Sequence, residues 1–152
     1  MGIPQEIESN IGVERTARVD LAAAFRLAVR LDMHEGVCNH LTLMLPGSKD
    51  RFLLNRFGLH WGEVTASNLL TLDASGKILE GEGDFEKTAF YIHSRIHLAN
   101  PNAACVLHTD MPYSTPWPLT APGRLGMVEQ NALRSAAHTA YDDEYQSLAA
   151  GD

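Results

Sequence analysis

The chain has 152 residues, 45% of them hydrophobic and 20% charged, which is enough apolar material for the core of one globular domain. A net charge of −7 with no basic run argues against nucleic acid or an anionic membrane as the main partner. No apolar run approaches the roughly 18 residues of a membrane span, and the amino terminus lacks a basic-then-apolar signal pattern, so a cytoplasmic protein without membrane insertion is expected.

Residues 1–15 read as a flexible leader and 16–152 as a single domain. From Thr16 to Met33 the apolar positions Val19, Ala22, Phe25, Leu27, Ala28 and Leu31 recur at helical intervals. Arg15, Arg18, Arg26 and Arg30 fall on the remaining surface. Gly36 is placed to close this helix in the left-handed conformation. A strand is predicted over 39–45, a turn at Pro46 to Asp50, and a partner strand over 51–55. Phe57 to Gly62 reads as a loop and Thr65 to Asn68 as a short capped turn. A second hairpin pairs 69–73 with 78–80 about the turn at Ala74 to Lys77. Cys38 and Cys105 sit in apolar surroundings far apart in sequence, which predicts two buried free thiols.

The stretch 86–113 organises the rest. Phe90, His93, Ser94 and His97 fall about one turn apart, with Ala89, Ile92 and Ile96 on an adjacent apolar stripe, so a helix is predicted. Asn100-Pro101 ends it, because the residue before a proline is pushed out of the α region. A short apolar strand over 103–107 then delivers His108 and Asp110 on one face, as two metal ligands from one strand would require. His93 and His97, at i and i+4, could clasp a metal. Without a glutamate between them, two packed and hydrogen-bonded rings are the simpler reading. After Tyr113 two prolines, Pro116 and Pro118, predict a shortened or absent helix.

The runs Ala-Phe-Tyr-Ile-His-Ser-Arg-Ile-His-Leu-Ala-Asn-Pro (89–101) and Cys-Val-Leu-His-Thr-Asp-Met-Pro-Tyr (105–113) resemble the central segment of the class II aldolase/adducin family. Asn39 to Thr42, Phe52 to Leu59 and Val64 to Leu69 resemble its earlier blocks, in the same order, and 129–134 and 140–145 resemble later ones. The resemblance spans 17–145 and leans to adducin and its bacterial relatives. It implies a three-layer αβα sandwich around a mostly antiparallel sheet, in a cyclic homo-oligomer with sites where subunits meet. It also implies that the family's later strands and helices are missing from a shortened chain.

For chemistry, the resemblance implies a divalent metal, zinc before other ions, held by three histidines. The metal polarises a carbonyl while a glutamate moves the proton as a carbon–carbon bond breaks in a small hydroxy-carbonyl substrate. His108 matches the first histidine of the family's His-x-His pair, Asp110 stands at the second, and the third falls beyond residue 152. The aldolases' glutamate position holds Ala89, whose methyl cannot transfer a proton. Glu86, one turn earlier, is the candidate replacement. Asn39, His40 and Thr42 match the block at the substrate's phosphate end. The alternative implied by the adducin branch is a non-catalytic assembly or protein-binding domain.

Overall fold

A computed structural model describes residues 5–112, 124, 134–135 and 138–141, with side chains from residue 11 onward. Residues 114–118, 129–133 and 142–145, which carry the predicted helix interruption and parts of two later blocks, lie outside the described residues. The chain divides into two compact units, Met1–Asp110 and Met111–Asp152. In the second, the Arg124 guanidinium lies 4.6 Å from the centre of the Tyr141 ring, and Thr139 Oγ1 donates to the Ser135 carbonyl at 2.8 Å.

The first unit begins with helix α1, Gln5–Arg30, which takes in residues 5–15 of the expected leader. It closes on Asp32 rather than on Gly36. Asp32 has φ 55°, its N–H reaches the Val29 carbonyl at 3.2 Å, and Met33 N–H reaches the Ala28 carbonyl at 2.9 Å. This paired bonding occupies carbonyls that a helix end leaves open, and a short Asp side chain tolerates the left-handed position it requires. Gly36 also has a positive φ, 54°, in the loop that follows.

Strands β1 (His40–Met44), β2 (Arg51–Leu54), β3 (Leu70–Asp73) and β4 (Ile78–Glu80) form an antiparallel meander. Helix α2, Lys87–Ala99, then returns across the sheet and places β5, Cys105–His108, antiparallel beside β1. Among the described residues the order is β4-β3-β2-β1-β5. Asn100 caps α2 in an extended conformation, as Pro101 demands.

Alternation along β1 divides the protein into layers. Leu41, Leu43 and Leu45 join Leu53 and Leu69 under the α1 residues Ala17, Leu21, Phe25 and Ala28. Phe52, Leu54, Leu70, Leu72 and Met44 gather with Phe90 of α2 on the opposite face. The result is a sheet between two helical layers, the predicted αβα sandwich. Trp61, expected in a loop, opens a short 3₁₀ helix, Trp61–Glu63, capped by His60. Its fully buried ring meets Phe25 edge-on at 4.9 Å.

Two helix faces differ from the predicted ones. Val19, Leu27 and Leu31 are exposed, while Arg18 is buried. Arg18 is paid for by partners: it donates to the Leu69 carbonyl at 3.0 Å and to Thr71 Oγ1 at 2.6 Å, and pairs with Glu14 and Glu80. On α2, Ile92 and Ile96 are exposed and the histidine face is buried. Cys38 and Cys105 are free, as predicted, but both are exposed rather than buried. Among the described residues Cys105 lies on an edge strand of the sheet and Cys38 in the loop after α1.

Candidate functional site

Register builds the site. His40 pairs with His108 and Thr42 with Val106 across β1 and β5, so His40, Thr42 and His108 share the face toward α2. The α2 side presents Ala89, Phe90, His93, Ser94 and His97 as its buried residues. His40 therefore stands between two other imidazoles. Its ring stacks toward His108 with centroids 6.1 Å apart and meets His93 edge-on at 6.3 Å. His40 is 8% exposed, and its buried Nε2 has no hydrogen-bond partner among the described residues. Half-exposed His108 is the open member of the group.

At the strand ends, Asn39 holds Asp110 in place. The Asn39 side chain accepts the Glu35 N–H through Oδ1 and donates through Nδ2 to Asp110 Oδ2 at 2.5 Å. The Asn39 carbonyl accepts the Trp61 indole N–H at 3.2 Å. Asp110 Oδ2 lies 3.8 Å from His108 Nε2, beyond hydrogen-bond reach. Two donors at that separation suit adjacent ligands of one ion, with bonds of about 2.0–2.2 Å each. Among the described residues, however, no group of three or more His, Cys, Asp or Glu side chains could hold a metal. The described residues do not by themselves fit the family's metal centre.

His93 and His97 share one hydroxyl. Thr42 Oγ1 lies 2.9 Å from both His93 Nδ1 and His97 Nε2, and His97 Nδ1 lies 2.6 Å from the Ala103 carbonyl. His97 also stacks on Phe52 at 5.1 Å. That Thr42 would bridge the two rings had no signal in the sequence beyond their i, i+4 spacing.

Glu86 is the N-cap of α2. Its Oε2 accepts the Ala89 N–H at 2.6 Å, so the candidate carboxylate is tied to the backbone of the first turn of α2. Burial works to raise the Glu86 carboxyl. The Ala89 and Thr88 N–H groups, the His40 charge and the Thr88 hydroxyl outweigh it and leave it below the usual carboxylate range. Burial lowers His40, Glu86 partly offsets this, and His108 adds to it. His93 falls to about 4 through burial and then its neighbours His40, His108 and His97. His97 is lowered by burial against the opposing pull of the Ala103 carbonyl. The buried imidazoles are neutral near pH 7.

Away from this group, His34 and His60 approach with Nε2 atoms 3.0 Å apart, and His60 Nδ1 accepts the Gly62 N–H. Nothing in the spacing of His34 and His60 pointed to this pairing.

An antiparallel sheet between two helical layers, with a polar group of imidazoles and carboxylates on the face toward α2, defines a class II aldolase-type domain. The family described as class II aldolase and adducin N-terminal domain matches residues 19–151, and the chain belongs to it. An aldolase II superfamily protein from Pseudomonas syringae superposes with a TM-score of 0.84 at 32% identity, over 90% of this chain and 55% of that one. An adducin-related protein of Schizosaccharomyces pombe is 37% identical over 108 residues, 66% of this chain and 33% of its own length. L-fuculose 1-phosphate aldolase from Glaciozyma antarctica PI12 shares the fold with a TM-score of 0.75 at 23% identity, over 90% of this chain and 55% of that one.

Proposed function

We propose that the domain contributes to a metal-dependent carbon–carbon lyase acting on a small hydroxy-carbonyl compound. The observation that carries this reading is the gathering of His40, His108 and Asp110 from the sheet with His93 and Glu86 of α2, including a buried imidazole nitrogen without a hydrogen-bond partner among the described residues. Buried polar groups cost free energy unless they are used, and a purely structural interface would be expected to replace them with apolar side chains.

In this reading Asn39, His40 and Thr42 line the substrate's polar end, and Glu86 is the carboxylate nearest the proton-transfer position. His108 and Asp110 would hold a divalent ion, zinc before others, with a further donor from outside the described residues. When bound, such an ion supplies a Lewis acid for the carbonyl. Cytoplasmic action suits two free, exposed thiols, and no helix is long and apolar enough to cross a membrane among the described residues. Among the described residues β5 is an edge strand, which suits assembly into a homo-oligomer.

A non-catalytic, adducin-like assembly domain is the second reading, and Ala89 favours it. A buried methyl stands where the aldolases carry their acid–base group. Two measurements on purified protein separate the readings: metal content after loading with zinc or manganese, and aldehyde release from L-fuculose 1-phosphate and related ketose 1-phosphates. The lyase reading expects one bound ion per chain and aldehyde release, both lost in His108→Ala. Wild-type protein that takes up no metal and releases no aldehyde supports the assembly reading instead.

A further inference from the structure

One turn from Ala89, the buried face of α2 carries a nitrogen lone pair that makes no hydrogen bond among the described residues. Ala89 and His93 are four residues apart on the buried face of α2, so a group on His93 overlies the place the glutamate would have occupied. Hydrogen bonding fixes where the His93 proton sits. The Ala103 carbonyl can only accept, so His97 Nδ1 carries a proton and, in the neutral ring, Nε2 carries a lone pair. Thr42 must therefore give its one hydroxyl proton to His97 Nε2. Its oxygen can then engage His93 only as an acceptor, so His93 Nδ1 is the protonated nitrogen. This leaves His93 Nε2 as an acceptor that makes no hydrogen bond among the described residues, on a ring whose centre lies 6.3 Å from that of His40. Neutral His97, which the chain of donors requires, agrees with its lowered pKa.

We infer that His93 Nε2 is the proton acceptor of this site, standing in for the carboxylate missing at Ala89, with Thr42 and His97 as positioning residues that lock its tautomer. The inference rests on the lyase reading. In cleavage of a β-hydroxy ketone, Nε2 takes the hydroxyl proton and the oxygen's electron pair forms the carbonyl of the released aldehyde. The carbon–carbon bond breaks, and its electrons remain as an enolate. Return of the same proton to the enolate carbon completes the ketone, so nothing is oxidised or reduced.

The test has a spectroscopic arm and a kinetic one. Long-range ¹H–¹⁵N spectra of histidine-labelled protein should show His93 and His97 as Nδ1–H tautomers, and Thr42→Val should release His93 from that form while Thr42→Ser keeps it. His93→Asn retains an amide donor for Thr42 but removes the Nε2 lone pair. It should lower kcat for L-fuculose 1-phosphate cleavage by about 10²–10⁴-fold with little change in KM. Active wild type with His93 protonated on Nε2, or with His93→Asn at the wild-type kcat, overturns this inference and leaves the lyase reading standing. Wild type that cleaves no ketose phosphate overturns both.

Discussion

His93 couples the site to stability through its proton. The ring is 3% exposed and its pKa falls from 6.5 to about 4, so the unfolded chain binds its proton more readily than the folded one. Stability from this group is complete above pH 6.5, is lost as pH falls from 6.5 towards 4, and changes no further below. A shift of that size corresponds to about 3 kcal/mol. His40 and His97 are shifted in the same direction and add to the loss. Urea midpoints should therefore drop between pH 7 and pH 5, and His93→Asn should flatten that slope to the part His40 and His97 contribute. A slope unchanged in His93→Asn would show that the imidazole is not buried in its neutral form. At this scale the sequence was only partly legible. The core position of Phe25 followed from helical spacing, and His108 and Asp110 do come within 3.8 Å of each other, although β5 ends at His108 and Asp110 lies past the strand. Packed, hydrogen-bonded rings at His93 and His97 followed from the lack of a glutamate between them, but their partners did not, and neither did burial of Arg18, because hydrophobicity ranks such a residue outside. What brings them in is a set of partners supplied from distant segments: Thr71 and Leu69 for Arg18, Thr42 and Ala103 for the histidines.

Among the elements, α2 shows how one residue's structural duty can be separated from a chemical one. Glu86 accepts the Ala89 N–H and so caps the helix that carries His93 and His97. Loss of a side-chain cap costs about 1 kcal/mol. Glu86→Ala should lower stability by about that amount in urea unfolding. Glu86→Gln keeps an acceptor oxygen and should stay within about 0.5 kcal/mol of wild type, since it removes only the carboxylate's charge. If the carboxylate itself moved the proton, Glu86→Gln would abolish aldehyde release despite this stability. With His93 as acceptor, release falls by less than about tenfold, the size of a lost electrostatic neighbour to His40. Helix boundaries illustrate the limits of sequence reading at the same scale. Pro101 fixed the end of α2 through backbone sterics alone. The end of α1 was misplaced, because an Asp in the left-handed conformation supplied the closing turn before the more obvious glycine was reached.

For the whole molecule, the sheet's architecture was readable because each β1 leucine alternates with a residue committed to the other face, and two turn signals set the hairpins. Assembly is the property that architecture leaves to be decided. Among the described residues β5 is an edge strand, and Leu107, which points away from the α2 face, is 56% exposed. Ile92 and Ile96 add exposed apolar surface on α2. An edge that is uncovered among the described residues, with a protruding leucine, favours pairing with another copy, and charged side chains are what natural edge strands use to prevent it. Light scattering should find a dimer or larger species for the wild type. Leu107→Lys should shift it towards monomer without loss of the far-ultraviolet circular dichroism of the folded chain, because this side chain contributes little to the core. A wild type that stays monomeric at high concentration would mean that this edge is not an interface between copies. If instead the oligomer persists in Leu107→Lys and breaks in Ile96→Glu, the contact lies on the outer face of α2, and the β5 edge is not what joins the subunits.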